Sequence, residues 1–405
     1  MRVRRIELPT SAWKADVLPL NYTRGYTVLN CGRYSSTHST TIPATGILLN
    51  MTWLSELGTL IIVTILSLSS QVTTLVDATP TTPPPPTNAL APVPGSLPNK
   101  NPIPRILLEN AAFQQASLGA SQALVAAATV NNPADALVNI FCTYRTPERV
   151  RYTTGSGYFI NPAGIILTNA HVAQFLLLET VSETGTTDCV VRHGNPAVPT
   201  YEAELLYISP LWIREHANLI SEATPKGTGE RDYALLYITS GLDGAPLPAT
   251  LPYLTLTTEL QSKDRIDDTI TVAGYPTNDP TALIAGASIA LETATTTIVD
   301  LYTFGTNYGD LYSLGGSAVG AQGVSGGPVI DASGTAIGLV VTRGDDTRQG
   351  EGSLNAITLS YVDRTIQEET GLSLAEIIAG NTAYRARLFQ QTIVPYLANL
   401  LEAEL

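Results

Sequence analysis

From Ala136 onward, short runs of β-branched and aromatic residues alternate with clusters of Gly, Pro, Asn and Asp. The runs are ALVNIFCTY, GSGYFI, GIILTNAHV, EAELLYI, YALLYI, TITVAGYP and PVIDASGTAIGLVVT. Runs of this length between turn residues are typical of β-barrels and sandwiches, and their order lacks the strand–helix alternation of a parallel sheet. The pattern predicts an all-β domain from Ala136 onward, followed by C-terminal helices over residues 371–405.

Composition and charge limit the functional classes. Hydrophobic residues make up 44% of the 405 residues and charged residues 14%, which is typical of a globular protein rather than a disordered one. The formal net charge of -13 argues against nucleic acid as a partner, because phosphate binding requires a basic surface. The charge is uneven, because residues 1–50 hold six basic and two acidic residues. We therefore expect this segment and the rest of the chain to face different surroundings.

The three cysteines Cys31, Cys142 and Cys189 are too few and too far apart for a disulfide framework or a CxxC-type zinc site. For Cys142 and Cys189 two interpretations remain open. They form one bridge in an oxidising compartment, or they are two buried free thiols, which is the arrangement we expect.

An apolar segment precedes the β-rich region. Residues 57–68 read LGTLIIVTILSL without a charge, and SSQVTTLV extends the run to Val76. The shorter run suits a secretory signal, whereas the longer one approaches the ~20 residues that cross a bilayer. Basic residues lie only on its amino-terminal side, so the positive-inside rule places the carboxyl-terminal side outside the cytoplasm. Residues 51–78 are therefore a signal peptide cleaved near Ala78, giving a secreted protein, or an anchor through residues 57–76 with the domain outside the cytoplasm.

The segments around this run carry weaker signals. Met51 is the only methionine besides Met1 and stands directly before the run, so translation from either remains open, and residues 1–50 are a basic extension that only the first start produces. Residues 79–105 are predicted to be a proline-rich linker, because proline disfavours helix and central strand. Residues 106–132 are rich in Ala, Leu and Gln and predict a helical segment.

One serine near the end of the β-rich region lies among three glycines. In Gly323-Val324-Ser325-Gly326-Gly327 the glycines permit tight backbone conformations that turn amide N–H groups toward one point. The amides of Gly323 and Ser325 are then a candidate oxyanion hole, a device that contributes about 10²–10³-fold in rate per donor. The pattern predicts Ser325 as a nucleophile.

A serine hydroxyl needs a base, and imidazole is the usual one. Among the four histidines, His171 follows an apolar strand on a predicted hairpin, whereas His193 and His216 lie in polar stretches that predict exposure. Asp232 stands directly before the buried run YALLYI, where a charge requires a partner. A histidine N–H is a suitable partner, so we expect His171 to be the general base and Asp232 to orient it.

These segments resemble the trypsin-like (chymotrypsin-fold) serine peptidases, most closely the HtrA/Deg-like branch. The similar stretches are GSGYFINPAGIILTNAHVA, RDYALLYI, TVAGYP and GVSGGPVIDASGTAIGLVV, in the family's order His, Asp, Ser. The resemblance covers residues 133–370 and implies two perpendicular six-stranded β-barrels with the site in the cleft between them. It also implies a serine endopeptidase that hydrolyses polypeptides through an acyl-enzyme on Ser325, without metal or cofactor.

The chain departs from the family's pattern in three places. Val324 replaces the Asn or Asp that relatives carry before the serine, so activation by a freed amino terminus is not expected. Only 35 residues follow Thr370, too few for the PDZ domain of HtrA-type relatives. The gap between His171 and Asp232 is long, and residues 195–230 are the expected loop insertion.

The family alignment assigns the primary substrate pocket to Val319, Leu339, Val340 and Val341. An apolar pocket disfavours cleavage after Arg, Lys or Glu and predicts a small or medium aliphatic residue before the scissile bond. The C-terminal helices either pack against the second barrel or mediate self-association, so an oligomer remains open.

Two other functional classes remain as alternatives. The first is a catalytically inactive protease-fold binding module, which is disfavoured because all three catalytic positions are intact. The second is an esterase, because Gly323 to Gly327 matches the Gly-x-Ser-x-Gly elbow of α/β hydrolases. The all-β context and the position of the histidine first in the chain argue against it.

Overall fold

The part of the chain that the structure describes begins at Asn132. This computed structural model covers residues 132–179, 185–221, 227–277, 286–305 and 307–405. The predicted extension, signal or anchor, and linker lie outside the described residues, as does all but the last residue of the predicted helical segment. Within the described residues, no helix combines the length and the apolarity that crossing a bilayer requires.

Twelve strands form two closed barrels of six strands each, and all neighbouring strands are antiparallel. The first barrel has the order β1-β2-β3-β6-β5-β4 and the second β10-β11-β12-β9-β8-β7. The predicted all-β, two-barrel fold is therefore confirmed. The strands of the first barrel are β1 (Leu137–Arg145), β2 (Val150–Asn161), β3 (Ile165–Thr168), β4 (Thr186–Gly194), β5 (Ala197–Ile208) and β6 (Ala234–Gly241). Those of the second are β7 (Thr269–Gly274), β8 (Glu292–Tyr302), β9 (Leu311–Leu314), β10 (Pro328–Ile330), β11 (Ala336–Arg343) and β12 (Leu354–Thr358).

The predicted hairpin between β2 and β3 is present and sets the direction of β3. The side chain of Asn161 accepts a hydrogen bond from Ala163 N at 2.6 Å, and Gly164 N donates to Asn161 O at 3.1 Å. Gly164 lies at a φ of 89°, a conformation that favours glycine. This turn delivers β3 and the residues after it to one end of the first barrel.

The predicted insertion over residues 195–230 is shorter than expected. Ala197–Ile208 is not a loop but strand β5, which pairs with β4 and β6 and closes the first barrel. The insertion begins only after Ile208 and contains helix α2 (Pro210–His216) and the 3₁₀ turn Ala217–Ile220. Ser209 caps α2 by accepting a hydrogen bond from Trp212 N at 3.2 Å.

Seven helices complete the described chain. They are α1 (Ala170–Ala173), α2, α3 (Asp346–Gln349), α4 (Leu359–Thr370), α5 (Leu374–Ile378), α6 (Thr382–Thr392) and α7 (Val394–Glu402). The break between α6 and α7 falls just before Pro395, which lies in the first turn of α7, where proline is tolerated.

The C-terminal helices pack mainly against the first barrel, whereas one of the two alternatives from the sequence placed them on the second. Helix α4 contacts β11 and β12, whereas α6 lies on β5 and α7 contacts α2. The ring of Phe389 on α6 lies 6.2 Å from that of Tyr207 on β5. The C-terminal segment therefore starts on the second barrel and ends on the first.

The structure contradicts the expectation of free thiols. Cys142 on β1 and Cys189 on β4 are directly opposite in register and form a disulfide. The bridge ties two neighbouring strands of the first barrel and closes a loop with a sequence separation of 47 that contains His171.

We expect replacement of both cysteines by alanine to lower the free energy of unfolding by about 2–4 kcal/mol, because an unfolded chain without a bridge of this loop length gains entropy. Urea denaturation followed by circular dichroism measures the effect. The matched control is Cys31→Ala, which removes the remaining cysteine and leaves the bridge. An unchanged midpoint for the double variant contradicts the prediction.

Candidate active site

His171 and Asp232 meet because their strands are neighbours. In the first barrel β3 pairs with β6, and Thr168 lies opposite Ala234. His171 follows the end of β3 on the short helix α1, and Asp232 immediately precedes Tyr233 and β6. Antiparallel pairing therefore brings the two side chains to the same end of the barrel.

The two side chains form a buried, doubly hydrogen-bonded pair. His171 Nδ1 lies 2.7 Å from Asp232 Oδ2, and the backbone N–H of His171 donates to Asp232 Oδ1 at 2.9 Å. Asn169 donates from Nδ2 to the Asp232 carbonyl oxygen at 2.8 Å. His171 is 8% exposed and Asp232 5%. Because Asp232 occupies the Nδ1 side, the imidazole has Nε2 left for a further partner.

Ser325 is held against the first barrel through its backbone. The N–H of Ser156 on β2 donates to Ser325 O at 2.7 Å. The neighbouring Gly155 on β2 lies close to both catalytic segments. A β-carbon there would be 3.2 Å from Ser325 O and 2.5 Å from Cγ2 of Val172, the residue after His171. Within the described residues, the structure records no hydrogen bond between the Ser325 hydroxyl and His171.

The backbone before Ser325 presents two unused donors. Thr277 N donates to Gln322 O at 2.8 Å, which orients the peptide that carries the N–H of Gly323. Gly323 has a φ of 87°, and a β-carbon there would lie 2.4 Å from Tyr275 O, so only glycine fits. Within the described part of the chain, the N–H groups of Gly323 and Ser325 donate to no acceptor. Two unsatisfied amides beside a serine can donate hydrogen bonds to an oxyanion and stabilise its charge.

Ser156 holds the backbone at Gly323 in place through hydrogen bonds, and the sequence analysis did not identify this residue. Its hydroxyl donates to Gly323 O at 2.7 Å and accepts from Tyr275 N at 2.9 Å, while its carbonyl accepts from Thr168 Oγ1 at 2.7 Å. Ser156 is fully buried. The signal was present in Gly155-Ser156-Gly157, a lone serine between glycines inside an apolar strand.

A cavity lies beside the imidazole of His171. It is lined by His171 and Asp232, by Trp212, His216 and Leu219 from the segment after β5, and by Val341 and Thr342 from β11. His216 is therefore not simply exposed as predicted, because its ring stacks on Trp212 at 5.3 Å and faces this cavity. His193, the other histidine predicted to be exposed, lies half-buried on β4 against the rings of Phe159 and Tyr201.

The four predicted pocket residues do not share one surface. Val319 and Val340 belong to the hydrophobic core of the second barrel, whereas Leu339 and Val341 belong to the larger cluster that includes the first barrel. Only Val341 lines the cavity beside His171. Successive residues of a strand point to opposite faces, so Leu339, Val340 and Val341 cannot all line one wall.

Comparison with known families adds an independent observation. Residues 155–339 match the family described as the trypsin-like peptidase domain. This stretch of the chain is similar to a trypsin-like peptidase domain. The match supports a serine-type peptidase and includes His171, Asp232 and Ser325. No curated protein matches the chain.

Several solved protease structures are similar to the chain at low identity. The active form of the Rv3671c protease from M. tuberculosis is 19% identical, with a TM-score of 0.35, covering 76% of this chain and 96% of that one. Deg5 is 16% identical, with a TM-score of 0.36 and coverage of 58% and 90%. The serine endoprotease from Yersinia pestis is 18% identical, with a TM-score of 0.36 and coverage of 64% and 66%.

Within the matched stretch, Val324, the residue before Ser325, is anchored by apolar packing. Val324 is fully buried in the core of the second barrel, and its Cγ1 would lie 3.0 Å from a β-carbon at Gly274. Burial of an apolar side chain therefore holds the loop at this position, whereas an acidic side chain buried there would need a charged partner. Because the fold is a pair of antiparallel barrels, the strand-to-helix elbow of α/β hydrolases is absent from the described chain, and the esterase interpretation does not fit it.

Proposed function

We propose that this chain is a serine endopeptidase in which Ser325 attacks the peptide carbonyl, His171 is the general base and Asp232 orients His171. The observation that carries the proposal is the buried His171–Asp232 pair, whose two hydrogen bonds fix the ring with Nε2 available. The family match and the unused amides of Gly323 and Ser325 support it.

The proposed reaction has two halves. The Ser325 hydroxyl adds to the carbonyl carbon while its proton passes to His171 Nε2, and the amides of Gly323 and Ser325 stabilise the resulting oxyanion. The tetrahedral intermediate collapses to an acyl-enzyme, and His171 returns the proton to the departing amine. A water molecule then adds to the ester carbonyl and loses a proton to His171, which gives a second tetrahedral intermediate. When this intermediate collapses, the bond to Ser325 Oγ breaks, His171 returns the proton to Ser325, and the carboxylic acid leaves. Asp232 orients the ring, and its carboxylate balances the charge of the imidazolium.

We also propose that the domain acts outside the cytoplasm, membrane-anchored through residues 57–76 or secreted after cleavage near Ala78. The Cys142–Cys189 disulfide supports this proposal, because structural disulfides persist in oxidising compartments. The uncharged run over residues 57–68 provides the export signal. Exposure of cells to a protease that cannot enter them tests the location, since an exported domain is digested or is found in the medium.

A fluorophosphonate probe tests the proposed nucleophile. Its phosphorus reacts with an activated serine hydroxyl and releases fluoride, so we expect one adduct per folded molecule. Peptide mapping by mass spectrometry should place that adduct on Ser325. The matched control is the urea-unfolded chain, in which no base is held near the hydroxyl and labelling should cease. An adduct on another serine, or equal labelling after unfolding, contradicts the proposal.

A further inference from the structure

Arg231, the residue directly before Asp232, has an unusual backbone conformation. Its φ is 55°, in the left-handed region that non-glycine residues rarely adopt. Such a residue persists only where its surroundings hold it in place. Tyr233 N donates to Arg231 O at 2.9 Å, so Arg231 and Tyr233 close a three-residue turn with Asp232 at its centre.

Helix α4 holds both ends of this turn. At one end, Arg231 Nη1 donates to Glu369 Oε1 at 2.6 Å and Arg231 N donates to the Tyr361 hydroxyl at 3.1 Å. At the other end, the hydroxyls of Tyr233 and Thr365 lie 2.7 Å apart. The helix residues lie more than 125 positions further along the chain, beyond Ser325.

The carboxylate of Glu369 is buried and is held in place by several hydrogen bonds. Its side chain is only 4% exposed, and besides Arg231 it accepts hydrogen bonds from Ser209 Oγ at 3.0 Å and from the Tyr207 hydroxyl. Burial by itself lowers the pKa of Arg231, but the charge of Glu369 raises it above its ordinary value, so the guanidinium stays protonated. Arg231 also reaches Glu368 at 3.0 Å, and that second carboxylate is more exposed.

We propose that Glu369 is a positioning residue for the active site, acting through Arg231 to hold Asp232 where its two oxygens meet His171. Helix α4 is then part of the catalytic apparatus and not only a packing element. The inference rests on the proposed function of His171, Asp232 and Ser325. It adds to that function the requirement that a C-terminal helix be docked for the base to be oriented.

A second buried ion pair on the same helix provides the comparison. Arg364 on α4 donates to Asp310 Oδ1 at 2.5 Å, and the side chain of Asp310 is fully buried. Asp310 also accepts from Thr303 Oγ1 and Phe304 N, in the segment after β8. This pair anchors α4 to the second barrel. Its link to the turn around Asp232 is indirect, because the Arg364 guanidinium lies 5.8 Å from the centre of the Tyr361 ring, whose hydroxyl accepts from Arg231 N. Loss of charge in either pair costs stability, but only loss at Glu369 should affect catalysis.

The experiment compares Glu369→Gln with Asp310→Asn in the full-length chain. The readout is the rate of Ser325 phosphonylation by a fluorophosphonate at increasing concentration, which separates the limiting rate from probe affinity. We expect Glu369→Gln to lower the limiting rate about 10- to 100-fold per folded molecule, because small misplacements of a catalytic group cost this much. Probe affinity should be unchanged. Asp310→Asn should lower the melting temperature and retain the wild-type limiting rate.

If Glu369→Gln does not fold, Arg231→Lys tests the same contact from its other side. Lysine retains the charge but not the two-pronged contact with Glu368 and Glu369, so it should give an intermediate limiting rate. Wild-type limiting rates in the folded Glu369→Gln and Arg231→Lys variants would show that the pair only stabilises the fold and would overturn the inference. If the wild-type chain itself fails to react, the proposed function fails, and that result is distinct from a failure of Glu369 alone.

Discussion

Alanine in place of Ser325 is expected to lower kcat for peptide hydrolysis by about 10⁶-fold, the scale observed when a triad serine is removed. The fold should be unaffected, because the contact that holds this residue uses its carbonyl oxygen, which accepts from Ser156 N at 2.7 Å. The residual activity would come from substrate binding and from the amides of Gly323 and Ser325. Hydrolysis of a fluorogenic peptide library, normalised to folded protein by circular dichroism, measures the loss.

Ser353→Ala is the matched control for this prediction. Ser353 is also a fully buried serine near the second barrel, but its hydroxyl donates to Asp346 Oδ1 at 3.0 Å and not toward His171. We expect this variant to keep wild-type kcat. Equal activity of Ser325→Ala and the wild-type chain would assign hydrolysis to another group. Absence of hydrolysis in both would leave the inactive binding module as the better description.

The sequence predicted the parts of this molecule that depend on short-range pattern. Apolar runs bounded by turn residues predicted an all-β domain, and the family resemblance implied its two barrels. The hairpin signal at residues 161–164 predicted the turn that leads to His171. His171 and Asp232 were recognised separately, each from its position beside a buried strand. Their contact results from the pairing of β3 with β6, which places the two strand ends side by side.

The features that the sequence did not predict depend on contacts between distant residues. The disulfide requires β1 and β4 to be neighbours with Cys142 opposite Cys189, and no local pattern fixes that register. The support of Arg231 by Glu369 joins residues 138 positions apart. The four-residue substrate pocket stays a prediction, and the alternation of side chains along β11 places Val340 on the opposite face from Leu339 and Val341.

Asparagine in place of Asp232 is expected to lower kcat/KM by about 10⁴-fold at neutral pH with little change in KM. The carboxylate accepts two hydrogen bonds, one from the His171 backbone N–H at Oδ1 and one at Oδ2 from Nδ1. An asparagine amide has only one acceptor atom, so its NH₂ group must face one of these partners. If it faces Nδ1, the ring proton moves to Nε2, and the nitrogen that should receive the Ser325 proton is already occupied.

A double variant connects this prediction with the role of Glu369. If Glu369 acts only by positioning Asp232, adding Glu369→Gln to Asp232→Asn should cost little beyond the single change, because both act on the same contact. Asp310→Asn in the same background should likewise leave the remaining rate unchanged. A further 10- to 100-fold fall with Glu369→Gln would mean that helix α4 affects catalysis by a route other than Asp232. A loss below 10-fold in kcat/KM for Asp232→Asn alone would show that the His171–Asp232 pair is structural. In that case the carboxylate does not set the histidine tautomer that catalysis requires.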